Sequence, residues 1–287
     1  MAIHDRFYTY DQWLTHCANP TPYGFAGEPA SRQSRSETET WTGTKNFQAA
    51  MDLARKGWSE GLETIAAMSE EIWKVVGQEI KKQTFQYDVC GDVVDVDRYL
   101  SGEPENMIQF TEEQAVGHGK IIKIWVNTVA SRGVSATTMF YRGAAVVALV
   151  DALEKLGFSC EVSTIDAISE RWSGDKNVLR YNVLLRGAGE ALDLDRLAFA
   201  LAHASWLRRL IFSAMEQESP ALRRMFGIGM GTYGNPEEAR GATNDEHGID
   251  VPSLRYGTHH FQSQEAATKW VLTAAAQLLG RPVEEVA

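Results

Sequence analysis

The sequence predicts an α/β fold: a three-layer, Rossmann-like sheet domain preceded by an N-terminal helical arm and a helical hairpin. Three observations predict it. Residues 120–126 (Lys-Ile-Ile-Lys-Ile-Trp-Val) are rich in β-formers, residues 142–156 are apolar on nearly every face, and residues 158–165 (Phe-Ser-Cys-Glu-Val-Ser-Thr-Ile) alternate with the period of a strand. Together they read as one strand, loop, helix and strand. A helix apolar all round must be buried, and packing it against a sheet is the doubly wound solution, whose ligands sit at the carboxyl ends of the strands. The candidate site is therefore expected at residues 127–135.

Residues 1–40 read as an arm and a mobile linker. The first 30 are aromatic and interrupted by Pro20, Pro22 and Pro29, and the run at 31–40 is polar without periodicity. Residues 41–115 hold the helical hairpin and an acidic strand and turn. Thr44 is placed to cap the first helix, which runs through Phe47, Ala50, Met51 and Ala54 and stops at Gly57. Ser59 is placed to cap the second, whose apolar positions Leu62, Ile65, Met68, Ile72, Val75, Val76 and Ile80 step by three and four. Residues 85–96 read as a strand and 97–106 as a polar turn.

Residues 116–287 make up the sheet domain. Within it, 177–185 is a further strand, Asp193 or Asp195 opens a long apolar helical region, and Ser205 is placed to start a second helix there. The glycine-rich stretch 227–250 reads as a long loop, 251–256 as a short strand, and Ser263 as the cap of a final helix that ends before Gly280 and Pro282.

A chain of 287 residues, 44% hydrophobic, is long enough for a full core. Its formal net charge of −10 and pI near 5.3 argue against sequence-independent nucleic-acid binding, which needs a broad basic face. Arg208, Arg209, Arg223 and Arg224 read as cations on solvated helix faces. Cys17, Cys90 and Cys160 have neither disulfide-framework nor zinc spacing. No run approaches the roughly 18 apolar residues of a membrane span. The expectation is a cytoplasmic protein that does not enter a membrane.

Four constellations are candidates for chemistry. Asp88, Asp92, Asp95 and Asp97 punctuate the acidic strand, and Asp95 with Asp97, sharing one strand face, is a possible magnesium or manganese pair for phosphodiester chemistry. The loop after residue 126 is the second. The third, 226–234, is glycine-rich, but a dinucleotide fingerprint needs a strand before it and a helix directly after, and here Pro236 follows. A flexible surface loop is expected instead. In the fourth, Asp245, His247, Asp250, His259 and His260 include metal-ligand types, yet adjacent histidines on a strand point to opposite faces. His118 is isolated, and His203 reads as a hydrogen-bonded core histidine. Trp41 and Trp58 lie beside glycines at the hairpin corners and, with Tyr233, are the aromatic candidates for partner contact.

The segment Ala-Leu-Val-Asp-Ala-Leu-Glu-Lys-Leu-Gly-Phe-Ser-Cys-Glu-Val, with the strand and loop before it, resembles the von Willebrand factor A-like fold. Metal-dependent members of that fold carry Asp-x-Ser-x-Ser in this loop. Here Asn127 stands at the aspartate position, Val129 at the first serine, and Ser131 matches the second. The resemblance implies a degraded site in which Asn127 and Ser131 remain as possible magnesium ligands. Over residues 41–161, WTGTKNFQAAMDLARKGWSEG, YDVCGDVVDVDRYLSGEPENM and FYRGAAVVALVDALEKLGFSCEV resemble an uncharacterised family of bacteriophage and mobile-element proteins. The likeness implies that context and no catalytic residue. The expected function is a non-catalytic interaction or assembly component that binds a protein partner or itself, with no cofactor. The alternative is a divalent-metal enzyme acting on phosphodiesters.

Overall fold

In the computed structural model, which describes residues 2–19, 28–34, 36–81, 85–91, 93–110, 120–170, 177–230, 232–239, 248–257 and 259–278, the alternation at the centre of the chain sorts side chains as expected. Ile122, Ile124 and Val126 of β5 (Ile121–Val126) are buried, whereas Ile121, Lys123 and Trp125 point the other way and stay partly exposed. β5 leads through α6 (Ala136–Lys155) into β6 (Ser159–Ser169), which runs parallel to β5 with Ile124 opposite Val162. Ser135 caps α6 by accepting from the Thr138 N–H. α6 is apolar all round because it packs on β6 and also against α4 (Leu62–Lys81), α7 (Leu194–Ala202) and α10 (Gln264–Leu278). It is also the one helix among the described residues long and apolar enough to cross a membrane, and two-thirds of that window is buried in the fold.

β7 (Val178–Arg186) returns antiparallel to β6, β1 (Ile3–Thr9) lies parallel to β7, and β9 (Gly248–Val251) lies parallel to β5. The sheet order is β1-β7-β6-β5-β9, with β8 (Asn235–Pro236) bridging the end of β6. The fold is thus α/β, a mostly parallel central sheet flanked by helices, consistent with a Rossmann-like three-layer arrangement.

The N-terminal segment departs from the irregular arm expected of it. β1 forms the edge of the sheet, in register from Ile3 opposite Val178 to Thr9 opposite Leu184. α1 (Tyr10–Ala18) follows at once, with Thr9 and Gln12 in a reciprocal capping box, and it buries Tyr10, Trp13, Leu14 and Cys17. The strand was hidden because polar residues occupy both faces. Asp5 pairs with Arg180 at 2.6 Å on one face, and Arg6 with Glu218 at 2.9 Å on the other. The expected mobile linker is also tied down where it is described. Ser31 is buried and α2 (Ser36–Thr42) follows.

Several caps differ from expectation. Asn46, not Thr44, caps α3 (Phe47–Lys56), and the Thr44 hydroxyl instead shares a hydrogen bond with Ser205. Gly57 ends α3 at φ +86° as expected, and a Cβ there would lie 2.3 Å from Asp195 Cβ. A 3-10 turn, Ser59–Gly61, precedes α4 without a side-chain cap. Asp193 caps α7 as expected, but Ser205 caps nothing: its hydroxyl donates to Thr42 O, and the chain enters a π-helical turn, Trp206–Ile211, that continues into α8 (Phe212–Glu216) and then α9 (Pro220–Phe226). Ser263 accepts from Ala266 N–H at the start of α10, as expected.

The expected strand at 85–96 is not continuous. β2 (Phe85–Asp88), β3 (Val93–Val94) and β4 (Met107–Phe110) form a separate antiparallel sheet, order β2-β4-β3, with α5 (Val96–Leu100) between β3 and β4. Pro20, Pro22, Asp92, His118, Asp245, His247, Gly280, Pro282 and the side chains of Val75, Val76 and Ile80 lie outside the described residues.

Candidate functional site

The loop leaving the carboxyl end of β5 is held from both sides. Asn127 Nδ2 donates to Glu237 O at 2.7 Å and its Oδ1 accepts from the Val129 N–H at 3.2 Å. Leu254, beyond β9, donates to Val129 O at 3.0 Å and accepts from the Ser131 N–H at 2.8 Å. Underneath lies Asp166 of β6, fully buried, whose Oδ1 accepts from both the N–H and the hydroxyl of Thr128. Arg142 of α6 is also fully buried and donates to Asn127 O at 2.9 Å and Thr128 O at 3.3 Å. Burial pushes the Asp166 carboxyl up to about 6, against the pull of Thr128 and of the Arg142 charge. Burial likewise draws Arg142 down to about 10. Four elements therefore fix the floor of the site.

Over this floor opens a cleft of about 780 Å³. The loop contributes Val129, Ala130, Ser131 and Arg132, and the segment from Glu28 to Trp41 forms a second wall. Leu207, Arg208, Phe212 and Met215 come from the π-helical turn and α8, and Gly229, Thr232, Tyr233 and Gly234 close the remaining side. The rings are in mutual contact. Phe212 and Tyr233 stack at 3.9 Å with planes 4° apart, and Trp41 lies 6.0 Å from Phe212. The Arg208 guanidinium sits 4.5 Å from the Trp41 ring centre. Tyr233 donates to Glu216, which also accepts from the N–H and hydroxyl of Ser31, so the second wall is pinned to α8. Burial raises the Glu216 carboxyl above its ordinary range and lifts the Tyr233 phenol well above its own.

A family model described as a domain of unknown function (DUF7192) matches residues 4–276. The chain belongs to the DUF7192 family. No curated protein and no solved structure matches it. In this DUF7192 chain the matched span runs from β1 into α10 and takes in the whole cleft.

Of the candidates read from the sequence, the DUF7192 cleft gathers Trp41, Ser131 and Tyr233. Asn127 lies beneath it with both side-chain ends engaged. Trp58 is elsewhere, edge-on to Phe140 at 5.9 Å and to His203 at 4.7 Å. His203 is the core histidine expected: its Nδ1 accepts from the Ser205 N–H at 3.1 Å, and burial brings it down to about 4.

The shared strand face expected for Asp95 and Asp97 does not form, because the chain turns into α5 at Asp95. Asp95 is the cap of α5, accepting from the Asp97 and Arg98 N–H groups at 3.1 Å each and from the Tyr87 hydroxyl at 2.9 Å. These bonds hold its carboxylate below its ordinary range, the Arg98 N–H first among them. Asp97 sits in the first turn of that helix. Among the described residues, no three His, Cys, Asp or Glu side chains gather where a metal could be held. The glycine-rich segment, expected as a surface loop, is a wall of the cleft.

The arginines were the functional residues missed. Arg208 and Arg209, expected on solvated faces, are buried, as is Arg223, while Arg224 is exposed. Arg209 donates to Ser31 O, Gln33 O, Thr42 Oγ1 and Thr44 O; Arg208 donates to Trp41 O and Val134 O. The signal was present: Trp206, Leu207, Leu210 and Ile211 flank the pair and leave the helix no polar side.

A second surface feature lies on the small sheet. Val89, Val94, Val96, Tyr99 and Leu100 are 65%, 43%, 61%, 62% and 77% exposed. Asp88, Asp95, Asp97, Glu103 and Glu105 surround them in the sequence, and the only basic residue between positions 88 and 105, Arg98, is paired with Glu103.

Proposed function

We propose that this DUF7192 protein is a non-catalytic interaction or assembly component that docks a protein partner on α5 and the β2-β4-β3 sheet, in the phage or mobile-element setting its sequence resembles. The observation that supports this reading is the inverted character of α5. Val96, Tyr99 and Leu100 are three and four residues apart, share one helix face, and turn that face to solvent. Apolar area gathered in this way is uncommon on a monomer and marks interaction surfaces. Burying such side chains contributes roughly 1.5–3 kcal/mol each, so three of them supply much of a micromolar affinity.

The carboxylates around the patch select the occupant. A second copy would bring the same carboxylates against them, whereas a segment carrying Lys or Arg around apolar anchors meets complementary charge. A photo-crosslinking residue placed at Leu100 of the full chain, in its host cell, tests the reading. The expected result is an adduct to another protein through a basic segment, lost with Tyr99→Glu and absent when the probe is placed at exposed Tyr256. Adducts only to a second copy, or equal labelling from both positions, would overturn it.

A further inference from the structure

We propose that the cleft over residues 127–135 binds a small ligand in which a planar ring is joined to an anionic group, a phosphate or a carboxylate. The decisive group is Arg208. It is 2% exposed, it lines the cleft, and among the described residues it forms no ion pair with a carboxylate. A guanidinium has five N–H donors in a planar fork. Arg208 uses two donor bonds, both to neutral carbonyls.

Two other arginines are fully buried, and each has an Nε without an acceptor among the described residues. Arg209 makes four donor bonds to the segments it ties together, and it does not line the cleft. Arg142 lies close enough to Asp166 to feel its charge. Arg208 alone of these three fully buried arginines faces the cleft, with donors left over and, among the described residues, no countercharge. A buried cation in that state is stabilised by an anion, and its fork matches phosphate and carboxylate oxygens.

The ring requirement comes from the walls. Trp41 lies over the same guanidinium, and the Phe212–Tyr233 stack stands beside it. Gly229 and Gly234 bring bare backbone to the opposite side, both at positive φ. A volume of about 780 Å³ falls in the range of small-molecule pockets and holds a mononucleotide-sized compound. The carboxylates near the site do not oppose this. Glu28 and Glu37 are exposed at the mouth and screened by solvent, Arg132 is exposed on the loop wall, and Glu216 is turned away into its bonds with Ser31 and Tyr233.

The site is separate from the docking face on α5, so either reading can fail alone. Isothermal titration of the full chain with adenosine 5′-monophosphate, indole-3-acetate, adenosine and inorganic phosphate tests it. A ring-bearing anion is expected to bind at least about tenfold more tightly than adenosine or phosphate alone. Which of the first two binds decides between phosphate and carboxylate. Trp41→Ala, at a half-buried position, and Ser131→Trp, which fills the cleft from the loop, are each expected to weaken that binding about tenfold or more while leaving the thermal midpoint of the free protein near its original value. Arg208→Lys, if folded, is expected to weaken it as well. No binding of either ring-bearing anion up to about 1 mM, or binding that both Trp41→Ala and Ser131→Trp leave unchanged, would overturn the proposal.

Discussion

Thr128 donates twice to a single oxygen of Asp166, once through its backbone N–H and once through its hydroxyl, so a carboxylate sealed under the sheet's carboxyl end holds the first bend of the cleft loop. The other oxygen, Oδ2, is buried, and the Thr164 side chain joins Thr128 and the Arg142 charge in favouring the ionised form. Burial outweighs them all, so this group's effect on stability can be read with pH.

Asp166 has a folded value near 6 against an ordinary 3.8. Below the lower value it is protonated in both states and adds no pH dependence. As pH rises from there toward 6, the unfolded chain releases the proton while the folded chain retains it, so this group's contribution falls, by about 3 kcal/mol once pH exceeds the folded value. Urea unfolding of the wild type and Asp166→Asn at pH 4 and pH 7 isolates it. The stability difference between the two proteins is expected to shift by about 2 kcal/mol in the variant's favour between pH 4 and pH 7, because part of the effect is already spent at pH 4. An equal difference at both pH values would mean that folding does not raise the Asp166 carboxyl at all.

Gly143 lies where α6 meets α7, and a Cβ there would fall 2.1 Å from Leu201 O and 2.3 Å from Ala202 Cα. Helix propensity alone favours alanine by about 1 kcal/mol, but forcing packed backbones apart costs about 1–3 kcal/mol or more. The steric effect wins. Gly143→Ala is expected to lower unfolding stability by about 2 kcal/mol, and a stabilised variant would show that the helices separate readily.

The three cysteines should differ in reactivity. Cys90 is exposed, whereas Cys17 donates to Leu210 O within the core and burial pushes the Cys160 thiol up to about 12. Ellman's reagent at pH 8 is expected to titrate one thiol rapidly in the native protein and the other two only after denaturation. Two fast thiols would place Cys17 or Cys160 outside the packed interior.

Asp95→Ala removes the cap of α5, while Asp95→Asn keeps an oxygen acceptor at the same place. Hydrogen exchange is expected to quicken at the Asp97 and Arg98 amides in the alanine variant and to change little in the asparagine variant. Protection induced by manganese in the wild type and lost in both variants would instead assign Asp95 to a metal.

The parts of the fold legible in the sequence were those buried in a regular period. β5, α6 and β6 announce themselves because Ile122, Ile124 and Val126 alternate and α6 has no polar face. β1 did not, since an edge strand paired on one side carries Asp5 and Arg6 on opposite faces and shows no apolar alternation. Asp95 was read as a strand residue because Val93, Val94 and Val96 favour strands, but its own carboxylate ends the run by capping α5. Trp41, Ser131 and Tyr233 were each visible as unusual residues. Their convergence was not, because it depends on how α2, the β5 loop and the glycine-rich segment pack, which no local pattern encodes. Arg208 was obscured by a rule about charge that its apolar neighbours should have overruled.

The pairing of β1 with β7 also sets a timetable. β1 is complete at Thr9, but the strand it needs begins at Val178. At about 5–20 residues per second, a ribosome takes on the order of ten to thirty seconds to make the intervening chain. Throughout that interval Trp13 and its neighbours on α1 have no sheet to cover, and the edge of β1 is open to other chains. β1 and α1 are made long before the strand that fixes their place, so chaperone occupancy during translation should concentrate on them.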